Sequence, residues 1–183
     1  LSDYADFARA FAGVAKAHAA WVWDGGRRVV ALSVAGTDGA AVAAGSPLHG
    51  NLLAALAQAG DPNIPVALLS YTPGLVRMQA RLKIDPDHET QLVLAAADAA
   101  VRRSLAFAAR DFGEPVATSR VTALLQAVPG VQAVDMDTLY RALETPALQS
   151  ILFAASPQSG AAGLAAAELL TLDPGGLGLE VMP

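Results

Sequence analysis

Residues 76–84, VRMQARLKI, alternate without a miss. Val76, Met78, Ala80, Leu82 and Ile84 fall on one side, and Arg77, Gln79, Arg81 and Lys83 on the other. That period of two predicts an antiparallel strand with one face on a core and the other in water. Elsewhere the apolar positions recur at helical spacing. Tyr4, Phe7, Ala8 and Phe11 form one stripe, and Leu48, Leu52, Ala55, Leu56 and Ala59 form another. Ser2 is placed to cap the first helix, and Asp3 and Asp6 suit its positive end. Gly13 can end it in the left-handed conformation, so that Val14 opens a strand running to about Trp23. Asp24-Gly25 is a two-residue hairpin signal, which predicts that VVALSVA, residues 29–35, pairs antiparallel with the strand before it. GTDGAAVAAGS reads as loop. The helix of the second stripe stops at Gly60 and Asp61-Pro62. IPVALLSY is an apolar run of strand length, and Thr72-Pro73-Gly74 reads as a break.

Beyond the alternating strand, Asp85-Pro86-Asp87 turns the chain and caps a long helix over about 88–106, with Leu94, Ala97, Val101 and Leu105 along its stripe. DFGEPV is a loop. Ser119 is placed to cap a helix that ends at Pro129-Gly130, VQAVDMD is a strand, and TLYRAL reads as a helical turn. Residues 146–163, small and polar with further prolines, read as a mobile surface excursion. ELLTLD and LGLEVM read as two short strands around Asp173-Pro174-Gly175.

Helices mixed with largely antiparallel strands indicate an α+β fold. The chain is expected to form two small ferredoxin-like α/β sandwich units, over residues 1–73 and 74–183. An echo supports the pairing. SDYADFAR followed by AFAGVAKAH, and SRVTALLQ followed by AVPGVQAVD, both run from a serine through a helix into a Gly-Val corner. The corner residues are Gly13 with Val14 and Gly130 with Val131, and the echo suggests an internal duplication.

Composition adds bounds. Of the 183 residues 54% are hydrophobic but only 5% aromatic, so the core is built from Ala, Val and Leu. The chain begins at Leu1 without methionine and is expected to be a piece of a longer protein. No apolar run long enough for a membrane span is free of charges or breakers, and no secretory leader pattern is present. Without cysteine there can be no disulfide or thiolate chemistry. A net charge of −5 argues against a general polyanion binder.

Chemistry is sparse. His18, His49 and His88 lack the spacing of a zinc site and read as surface or capping histidines. Asp135 and Asp137 share a strand face, but with no third ligand nearby they read as a strand end in solvent. GGLG at 175–178 is a turn, and no P-loop, GxSxG or GxGxxG occurs. No catalytic residue, metal or cofactor is expected. Two interface candidates remain. Arg77, Arg81 and Lys83 line one side of one strand: a solvated sheet face is one reading and an acidic protein partner the other. Without stacking aromatics, nucleic acid is not expected there. Trp21 and Trp23 share a strand face, either as core under a helix or as interface anchors.

FGEPVATSRVTALLQAVPGVQAVDMDTLY, residues 112–140, with the alternating strand and long helix before it, resembles the C-terminal part of the baseplate J-like family. The carrying positions are Gly113, Val116, Ser119, Val121, Leu125, Pro129, Gly130, Val131 and Val134. DYADFARAFAGVAKAHA resembles the start of that family's preceding domain. VWDGGRRVVALSVAG and ELLTLDPGGLGLEVMP look like the family's baseplate assembly variant. The resemblance implies a structural wedge component of a contractile phage tail or phage-tail-like injection system. It would act through contacts with other baseplate, wedge, tube or sheath proteins, with self-association allowed. It would be assembled in the bacterial cytoplasm and then reside in the particle's baseplate. The alternative is a small-ligand-binding or regulatory ferredoxin-like module, for which the discriminating feature is a polar cleft with convergent charged groups.

Overall fold

A computed structural model describes residues 1–161 and 163–182; Ala162, inside the expected excursion, and Pro183 lie outside the described residues. The chain divides into two compact units.

The first unit contains residues 1–72. Helix α1 (Ser2–Ala10) is flanked by Leu1 at its N-cap position, and Ser2 lies inside the helix with its hydroxyl donating to Asp3. The expected Ser2 cap is therefore not made. Gly13 takes φ +91 and turns the chain into β1 (Val14–Trp23). β1 pairs antiparallel with β2 (Arg28–Gly36), as the sequence predicts. The ladder ends at Trp23 and Arg28, and the Asp24 amide donates to the Arg27 carbonyl, so the two residues at the tip are Gly25 and Gly26 rather than Asp24 and Gly25. The Asp24 carboxylate accepts from the Gly26 and Arg27 amides and holds that loop. Helix α2 (Pro47–Ala59) opens with Ser46 accepting from the His49 amide, and it carries the chain to β3 (Val66–Ser70), parallel to β2. The sheet order is β1-β2-β3. Leu32 and Val34 of β2 pack with Leu52 and Leu56 of α2, Ala8 of α1 and Leu68 of β3.

Residues 28–36 carry no clean alternation, and β2 shows why. Every residue from Val29 to Gly36 is buried, so both faces are covered. The helices cover one. Distant chain covers the other: the first unit also takes in Asp111–Gly113 and Ala155–Leu169. The Ala167 amide donates to the Ser33 hydroxyl at 2.7 Å, and Phe112 lies against His18 and Tyr71. The Gly113 amide donates to the Glu168 carbonyl, and the Glu168 carboxylate accepts from the Ala155 amide. A single cut near residue 73 does not divide the chain this way. Within the added segment, β8 (Gln158–Gly160) and β9 (Gly163–Ala165) form a hairpin.

The second unit holds Pro73–Arg110, Glu114–Ala154 and Leu170–Pro183. Its central strand β4 (Thr72–Ile84) begins at the Thr-Pro-Gly expected to break the chain. Its alternation is as predicted: Val76, Met78, Ala80 and Leu82 are buried against Val93, Ala97 and Val101 of α3 (Thr90–Ser104) and Val121 and Leu125 of α4 (Thr118–Gln126). Ala117 occupies the N-cap of α4 and Ser119 lies within it, so the expected serine cap is absent here too. The short β5 (Val116–Ala117) precedes α4. Gly130, at φ +90, leads into β6 (Val131–Arg141), antiparallel to β4. The expected helical turn at 138–143 is overruled by pairing, because Arg77 faces Tyr140 and Val76 faces Arg141.

The 146–163 excursion is largely tied down. The Leu139 amide donates to the Ala147 carbonyl, the Thr118 hydroxyl donates to the Gln149 carbonyl, and β7 (Ile151–Leu152) pairs with β5. The last strand, β10 (Glu168–Val181), runs straight through Asp173-Pro174-Gly175 where two strands were expected. It lies at a sheet edge in the order β10-β4-β6, where a proline costs no ladder bond. Gly176 lies by Arg77, Gly178 by Gln79, and the Met182 amide donates to the Leu82 carbonyl. The two numbers climb together, so β10 runs parallel to β4. The fold is mixed α and β with mostly antiparallel pairing. Each main sheet has three strands, one parallel and one antiparallel to its centre.

Candidate interaction surface

Both tryptophans lie outside, at the hairpin end of β1. Trp21 is 36% exposed and Trp23 59% exposed, which removes the reading of both as core under a helix. Their strand neighbour Val22 points to the opposite face and is buried with its partner Val29. Arg28 stands across from Trp23, and its guanidinium lies 4.8 Å from the Trp21 ring centre, a cation–π contact. The Asp24 carboxyl is held below the usual carboxylate range by the Gly26 and Arg27 amides, so the loop stays closed while that group is ionised.

The basic side of β4 is largely exposed, as a solvated sheet face would be, and most of its charge is paired. Arg77 lies 2.5 Å from Asp173. Arg81 lies 2.7 Å from both Asp135 and Asp137. The carboxylates, Asp137 foremost, raise the Arg81 pKa, and Glu180 adds to their field. Lys83 is exposed. Asp135 and Asp137 thus serve as counter-ions rather than as a free strand end. A row of three cations in the sequence becomes a charge-balanced face in the fold, and the attraction for an acidic partner is largely used up within the sheet.

The two corners are alike in backbone and unlike in crowding. Beyond their positive φ, a side chain at Gly13 would meet Leu48 at 3.3 Å, while one at Gly130 would meet His88 and Val93 at 2.8 Å. Val14 and Val131 then start the strands, Val14 buried and Val131 packed at the core margin.

Sequence reasoning missed a run of exposed apolar residues on the second unit. Leu143, Leu148, Ile151 and Phe153 are exposed, Phe153 to 70%. They lie on the chain following β6, which Leu139–Ala147 and Arg141–Phe153 hydrogen bonds fasten to that strand. The one available signal was large apolar residues within a stretch otherwise rich in proline and small residues. Also missed was Arg110. Its buried guanidinium pairs with Glu114 at 2.9 Å and donates to the Leu170, Glu114 and Pro115 carbonyls, which satisfies its charge internally.

A polar groove of about 490 Å³ opens in the first unit between α1, β1 and residues 111–112. Arg9, Lys16, His18 and Asp111 line it. Lys16 pairs with Asp111, Arg9 pairs with Asp6, and burial pushes the His18 imidazole below its ordinary pKa. The groove's cations therefore already have carboxylate partners. Among the described residues no cluster of His, Cys, Asp and Glu is arranged to hold a metal, and no helix is long and apolar enough to cross a membrane.

No curated protein matches the chain. A family model does: residues 1–69 match the Baseplate J-like central domain. The match covers α1 through most of β3, the helix, Gly-Val corner and hairpin of the first unit. It corrects the expected placement, since residues 112–140 had suggested the family's C-terminal part and the match lies on the N-terminal part of this chain. The similarity to the Baseplate J-like central domain is thus confined to residues 1–69.

Proposed function

We propose that this protein is a wedge component of the baseplate of a contractile phage tail or phage-tail-like injection system, working by protein–protein contacts and without a catalytic step. The match of residues 1–69 to the Baseplate J-like central domain carries this reading and points to a structural role in a phage baseplate. The surface supports it. Large apolar side chains stand exposed on both units, at Trp21 and Trp23 and, within one short stretch of chain, at Leu143, Leu148, Ile151 and Phe153, and apolar exposure of this kind suits docking of other proteins. The partners are other baseplate, wedge, tube or sheath proteins, with self-association included. The particle is assembled in the bacterial cytoplasm. The two units are variants of one α/β sandwich, each led into an edge strand by a Gly-Val corner.

Affinity purification of the tagged protein from its native cell, with mass spectrometry and negative-stain imaging, tests the proposal. Sheath, tube and wedge proteins with tail-like particles on the grid are expected. A lone protein, under conditions that preserve other particles, would overturn it. The polar groove lined by Arg9, Lys16, His18 and Asp111 favours a second reading, a small-ligand or regulatory module. Tight metabolite binding that Lys16→Ala abolishes, with no tail protein in the eluate, would put that reading first.

A further inference from the structure

The two basic surfaces of this chain differ in what is left over after internal pairing. On β4, Arg77 and Arg81 are met by Asp173, Asp135 and Asp137. At the β1–β2 tip, Arg27 has Asp24 at a loose 3.7 Å, and Arg28 has no ion pair among the described residues. The Arg28 charge is instead fixed over the Trp21 ring, beside exposed Trp23. A guanidinium held on an indole loses less freedom on docking than a loose side chain would. Two tryptophans with an adjacent arginine are the residue types that dominate interface energetics. In an otherwise acidic chain with a net charge of −5, this tip is a local excess of positive charge on an apolar platform.

We infer that the β1–β2 hairpin tip, Trp21, Trp23, Arg27 and Arg28, is a docking site for an acidic segment of a neighbouring protein, with apolar side chains covering Trp23 and a carboxylate reaching Arg28. Complementary charge selects the partner: Asp24 offsets Arg27 and leaves the Arg28 guanidinium as the excess charge of the tip, so an acidic segment is favoured over a basic one. The inference deepens the baseplate reading and rests on it for the identity of the neighbour.

The test places a photoreactive benzophenone amino acid at position 23 of the protein, expressed in its native cell. Irradiation is followed by mass spectrometry of the cross-linked peptides. The expected product is a peptide with excess Asp and Glu from another tail protein. The yield should fall about tenfold or more in an Arg27→Glu, Arg28→Glu variant, as loss of a hot spot requires. Tm should fall by only a few degrees, since an exposed cation–π contact and a surface ion pair are each worth about 1 kcal/mol or less. An acidic peptide from a protein with no place in a tail would uphold the tip and overturn the baseplate reading. Cross-links to nucleic acid, lipid or a basic peptide, or none at all in particles that assemble, would overturn the tip and leave the baseplate reading standing. An undiminished yield in the charge-reversed variant would also overturn it.

Discussion

The two central strands make an instructive pair. β2 and β4 each sit between one antiparallel and one parallel neighbour, and each backs onto helices. Only β4 alternates in sequence. Its second face carries Arg77, Gln79, Arg81 and Lys83, whereas the second face of β2 carries Ala31, Ser33 and Ala35, all fully buried. The difference lies in what arrives from far along the chain. Ala155–Leu169 and Asp111–Gly113 complete the first unit and cover β2, so its pattern had to be apolar on both sides. A strand's hydrophobic pattern therefore reports the number of layers packed on it, and those layers need not be close in sequence.

Charge placed on these faces tests the comparison most strongly. Ala31→Asp puts an unpaired carboxylate on the covered face of β2, with an expected loss of about 3–5 kcal/mol. Gln79→Asp, on the exposed face of β4, should stay within about 0.5 kcal/mol, as surface changes do. Denaturant unfolding of the two variants checks this, and equal losses would mean that β2 has an open face after all.

The corners come next. Valine at Gly130 meets both a left-handed backbone, costing about 1–2 kcal/mol, and the His88 and Val93 side chains, with overpacking of about 1–3 kcal/mol more. Gly13→Val should cost less, because only the flexible Leu48 side chain is near. Gly163→Val should cost least of the three but is not silent: Gly163 stands in open space yet has φ +105. Melting temperatures falling in the order Gly163, Gly13, Gly130 are expected, and the reverse order would remove the crowding argument.

The smallest effect is a slope with pH. Burial lowers the His18 pKa, so the folded protein binds this proton less readily than the unfolded chain. The contribution is fully present above the ordinary imidazole pKa and is lost as pH falls through that value toward the lowered one. His18→Gln should flatten the stability of the first unit across that window, followed by hydrogen exchange of β1. An unchanged slope would assign it to other groups.

Much of this molecule is legible from local signals. The alternation of β4, the α2 stripe with its Gly60 stop, and the two left-handed glycines follow from periodicity and backbone sterics alone. What failed were places where a distant partner decides. Thr138–Arg141 has an acceptable helical pattern, yet the Arg77–Tyr140 pairing holds it as strand. Asp173-Pro174-Gly175 looks like a turn, but an edge strand tolerates it. Residues 146–153 look loose because they are fastened largely through their own backbone carbonyls, to partners as distant as Thr118, and a carbonyl leaves no mark in the sequence. Of the candidate surface, the exposure of Trp23 was one of two readings left open. The neutralisation of Arg77 and Arg81 was hidden, since Asp173 lies 96 positions from Arg77 and Asp137 lies 56 from Arg81.

The covering of β2 by Ala155–Leu169 also bears on synthesis. A ribosome delivers β1, β2, α2 and β3 early, but the amide that satisfies Ser33 arrives only with Ala167. Until then one face of the most apolar strand has no permanent cover, although its family-matched residues 1–69 are all present. Domains ordinarily close in the order they emerge. Here the N-terminal one must wait for nearly the whole chain, a delay during which exposed strand surface invites chaperones, and a shortened product ending at residue 69 would leave the ribosome sticky rather than folded.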